Sequence, residues 1–311
     1  MAVGRPAVTV DTTTNLGAIA LGTPLVAASG TVGSVWEFTR VADPAAYGAM
    51  TAKSVSGDPW KGRPAPRLAP AGLGMLNGVG IQNPGIDAWV AETGPRLRRV
   101  GTQVWGSAVG NTPDEFARVA AGLTAAGVSA IEINLSCPNL EDGRIFALDP
   151  ELAADVVGAA RATTGLPIGA KLSPDAEEIV PVAAACRAAG ADWLTLTNTA
   201  RGAGIDVENR RPLLSGVVGG YSGAPLKPIS LRCVIQVAQA LPDVPILGCG
   251  GVVTGADVIE YLMAGASAVG LGTIHFAEPR AATRVLDEAV RWAAEHGVRR
   301  LADLIGTMEA P

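Results

Sequence analysis

The sequence predicts one (β/α)₈ TIM barrel over residues 1–311, with small extra strands at the N-terminus and in long βα loops. Three observations carry that expectation. Short apolar, β-branched runs alternate with Ala-rich amphipathic stretches, the pattern of parallel strands with crossover helices. Eight such units fit the length, and the closed barrel is the most economical way to pair eight parallel strands. No GxGxxG follows the first strand, which argues against the doubly wound alternative.

The strands are expected at 25–28, 49–53, 103–109, 130–135, 168–172, 193–197, 246–249 and 268–271, and the helices between and after them at 34–41, 86–97, 113–126, 150–163, 175–189, 229–240, 254–264 and 280–295. Local signals support several of these bounds. Asn111-Thr112-Pro113-Asp114-Glu115 supplies a capping residue, an N1-type proline and early acids, while Gly127, Gly165, Gly190 and Gly265 read as C′ glycines. Residues 54–85 and 198–228 are too long and too rich in Gly, Pro, Arg and Asn to be plain connections. Loops of that length are functional or carry strands of their own.

Composition narrows the function. A chain 48% hydrophobic and 17% charged builds a large core and is not disordered. A formal net charge of -5, without any basic run, excludes a nucleic-acid-binding surface as the main business of the chain. The four cysteines, at 137, 186, 233 and 249, have no CxxC spacing, so no metal site is expected and a reducing compartment is. With no signal-type apolar core at the start and no uninterrupted apolar run of the ~18 residues a bilayer requires, a cytoplasmic protein without membrane partners is expected.

Chemistry concentrates at predicted strand ends. A barrel strand is buried on both faces, so Lys53, Asn134, Lys171 and Asn198 at C-terminal ends are costly unless they bind something. Asn77 lies in the first long loop. Two lysines and three amides at one mouth suit a planar, amide-rich ligand bearing a carboxylate. Cys249-Gly250-Gly251 and Gly270-Leu271-Gly272-Thr273 follow the last two strands, the recurrent phosphate position in barrels, and Gly223 is a third candidate there. Cys137 sits on the turn after the fourth strand, where a thiol can act as a base. Glu132, two residues before Asn134 on the same strand, points the same way and is expected to pair with Lys171 or Lys53 in a structural or pKa-tuning role.

In order along the chain, Ala28-Ser29-Gly30-Thr31, Thr51-Ala52-Lys53-Ser54, Pro64-Ala65-Pro66-Arg67, Met75 to Pro84, Asn134 to Asn139, Ala170-Lys171-Leu172-Ser173, Thr197-Asn198-Thr199, Gly219 to Pro228, Gly248 to Gly251 and Gly270 to Thr273 closely resemble the dihydroorotate dehydrogenases. The resemblance is nearest to class 1B. It implies FMN at the C-terminal face and oxidation of dihydroorotate to orotate in pyrimidine synthesis. Cys137 is similar to the family's base. Lys53, Asn77, Asn134, Asn198 and Thr199, with the Gly78, Val79, Gly80 and Ile81 backbone, resemble substrate-holding positions. Ser29, Lys53, Ser54, Ser107, Asn134, Lys171, Thr197, Gly223, Gly250, Gly251, Gly272 and Thr273 match positions that contact the flavin, Ser107 standing where relatives usually have Asn.

Class 1B further implies a homodimer core within a heterotetramer, with FAD and a 2Fe-2S cluster only on a partner subunit that passes electrons to NAD⁺. A fumarate-using class 1A enzyme and a dihydropyrimidine dehydrogenase-like flavoenzyme are the alternatives. Trp60 and Arg63 depart from the commoner residues of the first long loop.

Overall fold

The computed structural model describes residues 9–135 and 145–309. Its centre is a closed barrel of eight parallel strands: β1 (Leu25–Ala27), β2 (Ala49–Thr51), β3 (Gln103–Ala108), β4 (Ala130–Asn134), β5 (Ile168–Leu172), β6 (Trp193–Leu196), β7 (Ile246–Cys249) and β8 (Ala268–Leu271). Each strand pairs with its neighbours in sequence, and β8 returns to β1 through Val269 opposite Leu25. All eight expected strands are present, several of them one or two residues shorter.

Alternation along the strands stacks the barrel interior in layers. The lower layer is apolar: Val26, Ala49, Trp105, Ala130, Trp193, Leu247 and Ala268 cluster together, with the Trp105 and Trp193 rings 5.0 Å apart. A two-stranded hairpin, Thr14–Leu16 with Ile19–Leu21, plugs this end with Leu16, Ile19 and Leu21. One step further along the same strands the interior turns polar, with Ser107 opposite Glu132 and Thr195 opposite Lys171. The tryptophans fill the floor, so polar side chains can only be accommodated toward the other end.

The flanking helices are α1 (Ile86–Glu92), α2 (Gly94–Leu97), α3 (Pro113–Ala126), α4 (Pro150–Arg161), α5 (Ile179–Ala188), α6 (Lys227–Ala240), α7 (Gly255–Met263), α8 (Ile274–Ala277) and α9 (Ala281–Glu295). In α3, Thr112 Oγ1 accepts from the Glu115 N–H at 3.2 Å and Gly127 closes the helix at φ 84°. That cap contributes about 1 kcal/mol. Phe116, Val119 and Leu123, wholly buried on one face, contribute about 1.5–3 kcal/mol each, so packing rather than capping holds the helix.

Three expectations need correction. The helix expected at 34–41 is replaced by 3₁₀ turns at Phe38–Arg40 and Pro44–Ala46. There the Gly33 carbonyl accepts from the Lys53 N–H at 2.8 Å, and that tertiary bond with a positive φ at Val35 outweighs local helix preference. The stretch 86–97 breaks at Gly94-Pro95 into α1 and α2, as proline in a helix interior demands. Gly165 caps nothing, because α4 ends at Arg161, whose Nη2 donates to the Leu166 carbonyl at 2.6 Å.

The two long loops do carry strands. Leu68–Ala71 and Gly74–Asn77 from the first join Val218–Gly223 and Ala200–Ala203 from the second in one antiparallel sheet, with Asn77 opposite Gly220. A small pair, Ile205–Asp206 with Arg211–Pro212, extends the second loop. This sheet stands at the C-terminal rim of the barrel.

Candidate active site

Between that sheet and the strand ends lies a cavity of about 860 Å³, within the range of about 300–1,000 Å³ usual for small-molecule sites. Its walls include Ser29, Lys53, Ser54, Asn77, Gly78, Val79, Gly80, Ile81, Asn134, Lys171, Thr197, Asn198, Thr199, Gly223, Gly250, Gly251, Gly272 and Thr273. Residues chosen from the sequence at separate strand ends are thus brought together. Two are not among the walls. Ser107 is fully buried, its hydroxyl 2.8 Å from Ser54 Oγ, which does line the cavity. Cys137 lies outside the described residues.

The amides are aligned by a short chain of bonds. Asn198 Nδ2 donates to Asn134 Oδ1 at 3.1 Å, and Asn134 Nδ2 donates to Ser54 Oγ at 3.2 Å. Asn198 Oδ1 also accepts from the Thr199 N–H at 2.8 Å, and Asn77 Nδ2 donates to the Gly220 carbonyl at 3.2 Å. These contacts hold the amide planes while leaving donors and acceptors for a ligand. Thr197 Oγ1 is 2.7 Å from Ser230 Oγ on α6, a buried support that no sequence pattern marked.

Beneath the amides, Lys171 Nζ stands 3.5 Å from Glu132 Oε1, and Glu132 Oε2 accepts from Thr195 Oγ1 at 2.9 Å. Both charged side chains are almost wholly buried. Lys171, rather than Lys53, is the partner the structure gives Glu132. Three cysteines are described, and burial pushes all their thiols up, Cys186 to about 12. Cys186 and Cys233 are core packing, as expected. Cys249 borders the cavity, but its burial outweighs the opposing pull of Lys171.

On the β7–β8 side the cavity is walled by backbone. Gly251 adopts φ 69°, and the N–H groups of Gly251, Gly272 and Thr273 donate to no other group among the described residues. Such N–H donors suit a dianionic phosphate. The loop is braced from behind: Asp257 Oδ2 accepts from the Val253 and Thr254 N–H groups, and Asp257 Oδ1 takes Lys227 Nζ at 2.6 Å. A Cβ on Gly251 would lie 2.6 Å from the Lys227 backbone nitrogen and 2.8 Å from the Ala224 carbonyl. Gly251→Ala is therefore expected to strip the flavin that the resemblance implies. The positive φ alone costs about 1–2 kcal/mol for a residue with a side chain, and the ratio of flavin to protein absorbance after gel filtration reads the loss; full retention would contradict the cradle.

Sequence reasoning missed His275. Thr31 Oγ1 donates to the Ala28 carbonyl and lies 2.9 Å from His275 Nδ1, while Tyr47 Oη lies 2.9 Å from Nε2. Nδ1 therefore carries the proton and Nε2 accepts from tyrosine. Burial lowers the imidazole to about 4, so the ring is neutral as it ties α8 to the Ser29–Thr31 wall. A depressed histidine contributes stability that is complete above its unfolded value near 6.5 and fades as pH falls toward 4. About 3 kcal/mol is at stake over that window. Urea titrations from pH 7 to 4 should show the decline, and His275→Gln should flatten it.

The architecture and this mouth define a class: a barrel with a cationic, amide-lined floor and a backbone cradle of the phosphate type. The profile described as dihydroorotate dehydrogenase matches residues 12–291. A relative in Trichlorobacter lovleyi, named dihydroorotate dehydrogenase B (NAD(+)), catalytic subunit, is 43% identical over 98% of this chain and 99% of its own. One of the same name in Geobacter sulfurreducens is 44% identical over 96% of this chain and 98% of its own. The chain belongs to the dihydroorotate dehydrogenase family. At the level of fold, the crystal structure of DHODH in complex with ferulenol from Eimeria tenella superposes with a TM-score of 0.80 at 23% identity, covering 97% of this chain and 89% of that one. Among the described residues no helix is long and apolar enough to cross a membrane.

Proposed function

We propose that this chain is the catalytic subunit of an NAD-linked dihydroorotate dehydrogenase, a cytoplasmic enzyme of pyrimidine synthesis whose 311 residues form one barrel domain. The observation that carries the proposal is the convergence of two lysines, three asparagines and a glycine backbone cradle on one cavity, in a chain 43–44% identical to subunits of that name.

The cavity suits FMN beside a flat anionic substrate. Its backbone cradle provides phosphate-type donors, and its volume matches a site for molecules of that size. When bound, FMN supplies the two-electron acceptor for the hydride that leaves C6 of dihydroorotate. Gly223, Gly250, Gly251, Gly272 and Thr273 hold the phosphate end, and Ser29, Ser54 and Thr197 line its path. Lys53 pairs with the substrate carboxylate. Asn77, Asn134, Asn198 and Thr199 match the donors and acceptors of the ring edges, with the Gly78–Ile81 backbone closing over them. Lys171, with Glu132 3.5 Å behind it, favours the negative charge that grows as the reaction proceeds. Cys137 removes the C5 proton. The burial of Cys186, Cys233 and Cys249 supports that choice, since none is placed to ionise readily.

We place this subunit in a homodimer core, within a heterotetramer whose partner subunit carries FAD and a 2Fe-2S cluster and delivers electrons to NAD⁺. A dihydropyrimidine without a carboxylate is the competing substrate. Presenting the flavin-loaded protein with dihydroorotate and with dihydrouracil separates the two, because only the first offers Lys53 a carboxylate. Rapid reduction by dihydrouracil with indifference to dihydroorotate would overturn the proposal. Supplying NAD⁺ or fumarate as acceptor, with and without the partner subunit, tests the route of the electrons.

A further inference from the structure

Arg63 lies in the first long loop, and its side chain forms part of the cavity wall. Its own backbone N–H donates to the Val79 carbonyl at 3.0 Å, joining it to the Gly78–Ile81 segment. Its Nη1 donates to the Val218 carbonyl in the second long loop at 3.3 Å. Two glycines make room for this reach. A Cβ on Gly216 would lie 2.5 Å from Arg63 Nη1, and one on Gly80 would lie 2.9 Å from Arg63 Cγ.

The guanidinium is sparingly used where it stands. Of its five N–H donors, one makes that single long bond to a backbone carbonyl. Among the described residues it pairs with no carboxylate, whereas the other cavity-wall arginine, Arg201, has Asp175 at 3.5 Å. Arg67, four residues on, uses all three of its guanidinium nitrogens, with bonds to the Arg63 and Lys61 carbonyls and to Gln82. A planar, permanently charged fork that is half-buried at a ligand cavity and largely unspent has the chemistry to grip a carboxylate.

We propose that Arg63 is a specificity-determining residue that reads the carboxylate of the anionic substrate from the loop side of the cavity, while clasping the two long loops over it. The inference rests on the dihydroorotate reading and extends it to a cation outside the strand ends. Lysine, a point charge, replaces part of this function; glutamine preserves a donor for Val218 but carries no charge.

The test compares Arg63→Ala, Arg63→Lys and Arg63→Gln in the flavin-loaded protein, measuring dihydroorotate turnover with an artificial acceptor and orotate binding from the shift it causes in the flavin spectrum. Expected for Arg63→Ala are a rise of about tenfold or more in KM and in the orotate Kd, kcat within about threefold of the unaltered enzyme, and a weaker dependence of kcat/KM on salt. Arg63→Lys should recover most of the binding and Arg63→Gln little. An orotate Kd for Arg63→Ala within twofold of the parent overturns the proposal. So does recovery by Arg63→Gln equal to that by Arg63→Lys, which would make the clasp alone responsible. Should the unaltered protein neither react with dihydroorotate nor bind orotate, the functional reading fails and this inference with it, a result distinct from a reactive parent with indifferent variants.

Discussion

Cys137→Ser is expected to slow reduction of the bound flavin by dihydroorotate at least ~100-fold at pH 7, within the about 10²–10⁴-fold that a positioned base contributes. The flavin should stay bound, because the proposed cradle is built from Gly223, Gly250, Gly251, Gly272 and Thr273, none of which the substitution alters. A free thiol ionises near 8.5 and is lowered by neighbouring cations, whereas a serine hydroxyl stays protonated throughout the accessible range. The rate with cysteine should therefore climb with pH until the thiol is ionised, and the serine variant should lack that rise. Stopped-flow absorbance of the flavin under nitrogen reads both effects. A rate within tenfold of the parent at neutral pH would remove Cys137 from the role of base.

The second large effect is on stability. Glu132→Ala is expected to cost about 3–5 kcal/mol, the penalty for breaking a buried ion pair and leaving the other charge in place. Lys171 and Glu132 are almost wholly buried, 3.5 Å apart, in the polar layer just above the Trp105 and Trp193 floor. Thr195 would also lose its acceptor. Urea unfolding monitored by tryptophan fluorescence measures the loss. The double change Glu132→Leu with Lys171→Met should recover most of it, because removing both charges also removes the cost of burying them. A loss below about 1 kcal/mol in Glu132→Ala would show that the pair is solvated and that Lys171 is not held by it.

Much of this molecule was legible in the chain because barrel strands have a local signature. Apolar β-branched runs bounded by Gly, Pro and Asn located all eight strands, and the lysines and asparagines at their ends pointed to one cavity. The order of units, read with the rule that parallel crossovers share one hand, fixes which ends face the same way. What escaped was whatever depended on a distant partner. The first expected helix gave way to a backbone bond between Gly33 and Lys53, a contact no window of local sequence contains.

Ser107 was placed by counting back from Asp114-Glu115-Phe116, and its bond to Ser54 was not legible there. His275 and Ser230 carry no motif, and they acquire meaning only when Tyr47, Thr31 and Thr197 are brought beside them. Arg63 was visible as an unusual residue. Its reach across to Val218 was not, because the two loops come together only when the chain folds, through their shared sheet and through bonds such as that from the Ser215 N–H to the Pro66 carbonyl.

The most direct measurement of the central claim is an anaerobic titration of the purified, flavin-loaded protein with dihydroorotate, followed by the yellow absorbance. The site described here predicts bleaching complete at about one equivalent per flavin, with orotate appearing in the same amount. A bound flavin that remains oxidised in excess dihydroorotate would contradict it.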